Sequence, residues 1–382
     1  MKKSLLALAL LGAFTASAFA EPSVTLYGRI DTGLVYTHKN LDNTAGSTDT
    51  FSMDSGVTTG SRWGLKGSED IGNAKVGFVL ESGFNSDDSD DGTSGQNNRL
   101  FGREAQVNVS GAYGTLYAGR LASIASDAGS IGYLGDVSAF PNGFGIVGTQ
   151  KGSTGTAYDR YDNTLAYQTP TFGGLQGAIM YSFKGDAKVS DSNPKEVANA
   201  RENSGDADRY LAAGLRYKAG KAAVVLTGDM TMYSNDVNNV YHDVDNGYSF
   251  ILGGNYDFGV AKVFAKATYF DNQVNVIDSF SLIKDARDLK KAEALKGWGA
   301  ELGTNVPAFG GNFLAAVGYR DAKDVDDGSY KFKRWNAAVG YTYAFSKRTN
   351  VYGLAGYAQE KANALDRKAS GAQVGFGLVH KF

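Results

Sequence analysis

Apolar and polar residues alternate with a period of two along most of this chain. In the segment that starts at Leu26, residues Ile30, Leu34 and Tyr36 share one face, and Arg29 lies on the other. The same alternation recurs in segments that contain Trp63, Val76, Leu175, Leu211, Tyr248, Val263, Trp298, Phe313 and Trp335. This period predicts β-strands that each have one apolar face.

The connections between these segments fall into two length classes. Short turns are predicted at residues 70–73, 112–114, 170–174, 219–221, 258–259, 307–311 and 346–349. Long connections are predicted at residues 38–58, 85–98, 120–160, 185–208, 234–246, 272–296, 321–331 and 360–368. Short turns on one rim and long loops on the other are typical of bacterial outer-membrane barrels.

The pattern therefore predicts an all-β fold, a 16-stranded antiparallel transmembrane β-barrel. An exported β-sandwich is the alternative, but it does not explain the repeated aromatic residues on the apolar face. In the last segment Val374, Phe376, Leu378 and Phe382 share one face. An open sheet edge is not tolerated in hydrocarbon, so this segment is predicted to close the barrel on the first strand.

The first twenty residues have the features of an export signal. They combine Lys2 and Lys3, a short apolar run and a small-x-small site at residues 18–20. Cleavage leaves residues 21–382 as a single barrel domain. Two of the 38 basic residues are lost with the signal, which leaves 36 against 40 acidic residues and a formal charge of −4. That balance argues against a nucleic-acid partner, and no later run approaches the roughly 18 apolar residues of a membrane helix.

Candidate catalytic chemistry is sparse. The three histidines, His38, His242 and His380, are far apart, and neither Gly-x-Ser-x-Gly nor a phosphate-binding loop is present. The absence of cysteine excludes disulfides and thiolate metal sites. We expect no cofactor, no metal site and no enzyme, with an outer-membrane hydrolase as a remote alternative.

Two of the long connections differ from the others in their composition or residue spacing. Residues 85–96 include four aspartates. A solvated loop is favoured there over a divalent-cation site, because the spacing does not match a calcium loop. Residues 282–295 show helical spacing, which predicts a short loop helix.

The connection over residues 120–160 is the most unusual stretch. A structureless loop of this length is uncommon in a compact domain. Its apolar residues, too many for a solvated linker, include Ile124, Ile131, Leu134, Phe140, Phe144 and Ile146. We predict that it folds into the barrel lumen and narrows it; a mobile surface loop is the alternative.

Charged residues on the polar faces of the early strands are the candidate functional residues. Arg29, Arg62, Lys66 and Arg160 fall on these faces, and Arg120 ends a strand beside the long loop. Charges in a narrow aqueous passage with low-dielectric walls focus the field and set ion selectivity. Facing acids are expected from the loop, at Asp127, Asp136 and Asp159.

The chain resembles the trimeric general porins of Gram-negative outer membranes, most closely those of beta-proteobacteria. The motifs that carry the resemblance are residues 23–28 (SVTLYG), 61–72 (SRWGLKGSEDIG), 114–120 (GTLYAGR), 160–175 (RYDNTLAYQTPTFGGL) and the terminal Phe382. The resemblance implies a sixteen-stranded barrel, a homotrimer, and an inward third loop that forms a constriction. It also implies passive diffusion of small hydrophilic solutes and ions, contact with outer-membrane lipids and lipopolysaccharide, and Phe382 as an assembly signal.

Carried over by position, Arg62, Arg103, Arg120 and Arg160 correspond to the basic wall of this family. For Arg103 the resemblance conflicts with the alternation over residues 100–110, which places Arg103 on the apolar side. The acidic side departs from the family pattern, because Asn142 stands where many relatives have glutamate. The acidic role then falls mainly on Asp136.

From these residues we expect a general diffusion porin with a weak to moderate preference for anions. A solute-specific channel, such as one for sugars, is the first alternative, with Tyr27, Tyr133 and Tyr210 as candidate lumen aromatics. An adhesin or receptor anchored by the barrel is the second.

Overall fold

A computed structural model describes residues 23–41, 46–88, 99–140, 146, 160–185, 200–236, 244–274 and 294–382. In these residues seventeen β-strands pair antiparallel in one sheet. They are β1 (Ser23–Asn40), β2 (Ser47–Ser55), β3 (Arg62–Asp70), β4 (Ala74–Gly83), β5 (Glu104–Gly111), β6 (Gly114–Ala122), β7 (Arg160–Gln168), β8 (Leu175–Ser182), β9 (Arg209–Ala219), β10 (Ala222–Met232), β11 (Gly247–Asp257), β12 (Lys262–Gln273), β13 (Leu295–Ala308), β14 (Gly311–Asp324), β15 (Lys331–Ala344), β16 (Thr349–Ala362) and β17 (Arg367–Lys381). A short 3-10 helix covers Leu134–Asp136. No helix in the described ranges is long and apolar enough to cross a membrane.

The sheet closes on itself, since β17 pairs with β1 over Arg29–Asn40. The other edge of β1 pairs with two strands in succession, with β2 along Thr32–Asn40 and with β3 along Ser23–Arg29. Strands β2 and β3 therefore share one position in the barrel, interrupted at residues 56–61. The predicted closed 16-stranded barrel is confirmed.

The two faces of the barrel differ as the alternation predicted. Large apolar side chains in the apolar phase point outward and are exposed, for example Leu26 at 59% and Val339 at 58%. An outward apolar band is what a hydrocarbon surrounding requires. Residues of the opposite phase face the barrel interior.

Seven short turns connect the strands along one rim, as predicted. Three of the predicted long loops are wrong. The region 38–58 contains β2 and the end of β1, and the connections after β14 and β16 are only residues 325–330 and 363–366. At their ends β14 and β16 carry polar residues on both faces, and β2 has only Phe51 and Met53 as large apolar residues, so the strand ladder persists where the alternation weakens. The loop helix expected at 282–295 falls mostly outside the described residues, and Leu295 begins β13.

The C-terminal residue completes the closure. Phe382 and Gly28 exchange two backbone hydrogen bonds of 3.1 Å. The Phe382 ring lies over Gly28, where a Cβ would clash with it. The last residue is thus paired with the first strand.

The third long connection lies inside the barrel, which confirms the predicted inward loop. Its side chains belong to three buried clusters around the inner wall, through Ile124, Ile131, Tyr133, Leu134 and Val137, then Ala139 and Phe140, then Ile146. Phe144 lies outside the described residues.

Five glycines on alternate strands form the seat of this loop. A Cβ built on Gly214 of β9 would lie 2.6 Å from Ile124, and one on Gly253 of β11 would lie 2.9 Å from Val137. The same holds for Gly303 of β13 with Ala139 at 2.9 Å, Gly340 of β15 with Phe140 at 3.2 Å, and Gly371 of β17 with Ile146 at 2.6 Å. We call these five residues the glycine track; it lets the loop lie against the wall from β9 to β17.

Candidate functional site

The inner wall opposite this seat carries a cluster of arginines, and Glu81 of β4 joins two of them. Arg103 donates from Nε to Glu81 Oε1 at 2.7 Å, and Arg62 Nη1 lies 3.6 Å from the same oxygen. Tyr27 donates to the second oxygen at 3.0 Å. Charge-assisted bonds of this kind fix the guanidinium planes.

Asp162 of β7 joins a second pair. Arg99 and Arg120 donate to its two oxygens at 2.6 and 2.7 Å. Arg160 links the two pairs, because its Nε donates to the backbone carbonyl of Arg103 at 2.9 Å.

The interruption between β2 and β3 contributes neutral acceptors. Thr59 Oγ1 accepts from Arg29 at 3.2 Å and from Arg62 at 3.0 Å, and the Gly60 carbonyl accepts from Arg62 Nε at 3.0 Å. Arg62 also lies within the electrostatic reach of Arg103 and Arg160. We call Arg29, Arg62, Arg99, Arg103, Arg120 and Arg160 the arginine cluster.

Two irregularities explain why strict alternation mispredicts this cluster. Arg103 precedes β5, which begins at Glu104, so the phase of that strand does not apply to it. Arg120 shares the parity of the outward Leu116, but the register shifts between Gly119 and Leu121. Gly119 has φ +134°, and a Cβ there would lie 2.2 Å from a carbonyl oxygen of β5. The bulge re-aims Arg120 toward Asp162.

The sequence prediction missed several residues of the site. Arg99 lies in a connection without periodicity, so the sequence offers no signal for it. Glu81, Glu104 and Asp162 are polar-phase residues, but only their contacts separate them from other lumen residues. Lys66 was predicted with the wall and lies apart from the cluster, exposed, with its ammonium 5.2 Å from the centre of the Tyr27 ring.

One of the predicted loop acids, Asp136, binds basic residues outside the arginine cluster. Asp136 binds Lys218 of β9 at 2.7 Å, with Arg216 at 3.9 Å. Asp127 lies within electrostatic reach of the buried Lys266 of β12. Asp159 and Asn142 fall outside the described residues. For Asp136 the prediction is corrected: its partner lies on another strand, 82 positions away in the sequence.

The candidate lumen aromatics are mostly covered. Tyr210 is 2% exposed and stacks on Tyr161 with ring centres 3.7 Å apart. Tyr133 is 1% exposed and lies under the Arg216 guanidinium. Burial raises the pKa of the Tyr133 phenol, so this ring stays neutral. Only Tyr27 is partly accessible, and its hydroxyl is bound to Glu81.

A second set of charges, on strands β12 to β16, is buried instead of lining the lumen. Lys266 pairs with Glu301 at 3.8 Å, and Arg320 donates to Glu360 at 2.6 Å. The loop residue Ser138 donates to Glu301. These charges are removed from the water of the passage, and Glu301 also holds the loop through Ser138.

No group of three or more histidines, cysteines or carboxylates suited to a metal ion occurs among the described residues. The run of aspartates at 85–96 is described only up to Asp88.

Asp162→Asn is expected to increase the preference of the passage for anions. The change removes one negative charge from between Arg99 and Arg120. A unit charge at 4 Å is worth about 1 kcal/mol in water, so we expect roughly a few-fold rise in the anion-to-cation permeability ratio. Asp206→Asn, which breaks an exposed loop ion pair with Arg201, is the matched control. An unchanged ratio for Asp162→Asn would remove this carboxylate from the selectivity site.

The chain is similar to known proteins along nearly its whole length. A family model described as Gram-negative porin matches residues 7–363. An outer membrane porin protein of Bordetella pertussis is 36% identical, with 100% of both chains covered. Outer membrane porin protein 32 of Delftia acidovorans is 29% identical over 98% of this chain and 95% of its own length. A solved structure of an anion-selective porin from Comamonas acidovorans superposes with a TM-score of 0.64 at 24% identity, covering 95% of this chain and 100% of that one.

Proposed function

Because this chain belongs to the Gram-negative porin family, and is a general diffusion porin of the outer membrane, we propose that its channel prefers anions. The observation that carries the proposal is the composition of the arginine cluster. In the described part of the wall, six guanidinium groups lie near three carboxylates. Glu81 and Asp162 pair with four of these arginines, and Glu104 lies within electrostatic reach of Arg160. Arginine keeps its charge at any working pH.

The local field outweighs the net charge of the protein. The whole chain has a formal charge of −2, but exposed charges farther away than about 10 Å are largely screened at 0.1 M salt. A permeating ion passes much closer to the arginine cluster. Its preference is therefore set at the cluster and not by the acidic loops.

The solute-specific alternative has weaker support. A sugar path needs accessible aromatic rings, and Tyr133 and Tyr210 are buried between the loop and the wall. The relative from Comamonas acidovorans is named as anion-selective, in agreement with our proposal.

We extend the proposal to assembly. The family relationship supports a homotrimer, contacts of the apolar band with outer-membrane lipids and lipopolysaccharide, removal of residues 1–20 on export, and Phe382 as the assembly signal. Deletion of Phe382 is expected to lower the yield of heat-modifiable folded trimer on unheated gels. An unaffected yield would refute its role in assembly.

Solute uptake by proteoliposomes tests the proposed preference. Neutral sugars of increasing size give the size limit, and gluconate is compared with N-methylglucamine, since both derive from the same hexose skeleton. We expect faster uptake of gluconate than of N-methylglucamine. Equal uptake, or faster uptake of the cation, would contradict the anion preference.

A further inference from the structure

We propose that Asp31 is a positioning residue for ion selection, which acts on the arginine cluster through the interrupted strand. This inference rests on the proposed anion preference. Asp31 lies on β1 with its side chain fully buried. It touches no arginine in the described contacts, so its influence passes through another group.

The Asp31 carboxylate holds the strand interruption by several bonds. Its Oδ2 accepts from Thr58 N at 2.8 Å, Thr58 Oγ1 at 2.6 Å and Thr59 N at 2.8 Å. Its Oδ1 accepts from Tyr352 of β16 at 2.7 Å. Four donors on one buried carboxylate fix the backbone of residues 58 and 59 relative to two strands.

The backbone of Asp31 is tied to the same interruption. Its carbonyl accepts from Gly56 N at 2.8 Å, and its N–H donates to Ser61 Oγ at 3.0 Å. Asp31 therefore binds both ends and the middle of residues 56–61.

The interruption in turn holds two arginines of like charge. Arg29 and Arg62 are directly opposite in the β1–β3 register, where like charges repel. The Thr59 hydroxyl accepts from both, and the Gly60 carbonyl accepts from Arg62. If Thr59 moves, the two guanidinium groups lose the acceptor that holds them together at the passage.

Two variants of Asp31 distinguish its positioning role from the effect of its negative charge. Asp31→Asn and Asp31→Ala remove the same negative charge. The loss of this charge alone would favour anions equally in both variants. Asparagine keeps an oxygen that can accept from Thr58 and Thr59, and alanine keeps none. We expect a lower anion-to-cation permeability ratio and larger open-channel current noise for Asp31→Ala than for Asp31→Asn.

A second pair tests the route through Thr59 without touching the carboxylate. Thr59→Val removes the acceptor of Arg29 and Arg62, and Thr58→Val removes one bond to Asp31 but no bond to an arginine. We expect Thr59→Val to reproduce the loss of anion preference and the noise of Asp31→Ala, and Thr58→Val to stay near wild type.

The experiment is bilayer recording of the folded wild type and the four variants, with folding checked by heat-modifiability. Identical ratios and noise for Asp31→Ala and Asp31→Asn, or a wild-type result for Thr59→Val, would overturn the positioning role. A wild-type channel without anion preference would instead overturn the proposed function. The noise comparison still tests Asp31 in that case.

Discussion

The double variant Arg62→Glu/Arg160→Glu is expected to conduct cations better than anions. In the native cluster six guanidinium groups face three carboxylates, and in the variant four face five. The glutamate at position 62 would stand next to Glu81, because Glu81 Oε1 lies 3.6 Å from the Arg62 Nη1 that is replaced. A pair of unit charges at 4 Å is worth about 1 kcal/mol in water and about 4 kcal/mol near a protein surface. Since about 1.4 kcal/mol is tenfold, we expect the permeability ratio to fall by at least about tenfold.

The matched control places the same substitutions on exposed arginines. Arg201 lies in a long connection, 80% exposed, and Arg348 lies in a short turn on the other rim. Arg201→Glu/Arg348→Glu changes the total charge equally but leaves the cluster intact. We expect its reversal potential to stay near wild type. A similar shift in both double variants would assign selectivity to total charge, and loss of the folded barrel only in Arg62→Glu/Arg160→Glu would assign these arginines a structural role.

Gly253→Leu is expected to narrow the channel by pushing the inward loop off its seat on the wall and into the lumen. Val137 of the loop lies where the new Cβ would stand, at 2.9 Å, and the backbone oxygen of Ala265 lies 3.1 Å away. Strand β11 is paired on both sides with β10 and β12. The wall therefore resists the strain of overpacking, about 1–3 kcal/mol, and the loop yields. Single-channel conductance and the size limit for neutral sugars should both decrease.

Rescue and control variants make this prediction specific. Val137→Gly removes the obstructing side chain, so Gly253→Leu/Val137→Gly should recover part of the native conductance. Gly353→Leu is the matched control, because nothing lies within 4 Å of a Cβ at that position. Native conductance in folded Gly253→Leu, or an equal fall in Gly353→Leu, would show that the glycine track does not seat the loop.

The barrel was predictable from sequence because lipid imposes a strict alternation on its outward face. The alternation ends where the strands extend beyond the lipid. Strand β2 was missed because its outward face has only two large apolar residues, Phe51 and Met53, among polar ones. Arg103 was misplaced because it precedes its strand, and the resemblance to porins corrected it.

The contacts inside the lumen were less predictable. Asp136 was assigned to face the arginines, but its partner is Lys218, brought near only by the path of the loop. Asp31 follows the same alternation as other lumen residues. The four hydrogen-bond donors to its carboxylate come from Thr58, Thr59 and Tyr352, which are distant from it in the sequence. The sequence does not show that an inward glycine such as Gly253 contacts the loop. Its role becomes visible only when the loop residue that it accommodates is known.

The most direct measurement is the zero-current potential of the wild-type channel in a planar bilayer under a potassium chloride gradient. The two ions have similar mobility in water, so the sign reports the protein. We predict that the dilute side becomes negative, because chloride crosses faster than potassium past the arginine cluster. A positive dilute side would contradict anion selection at this wall.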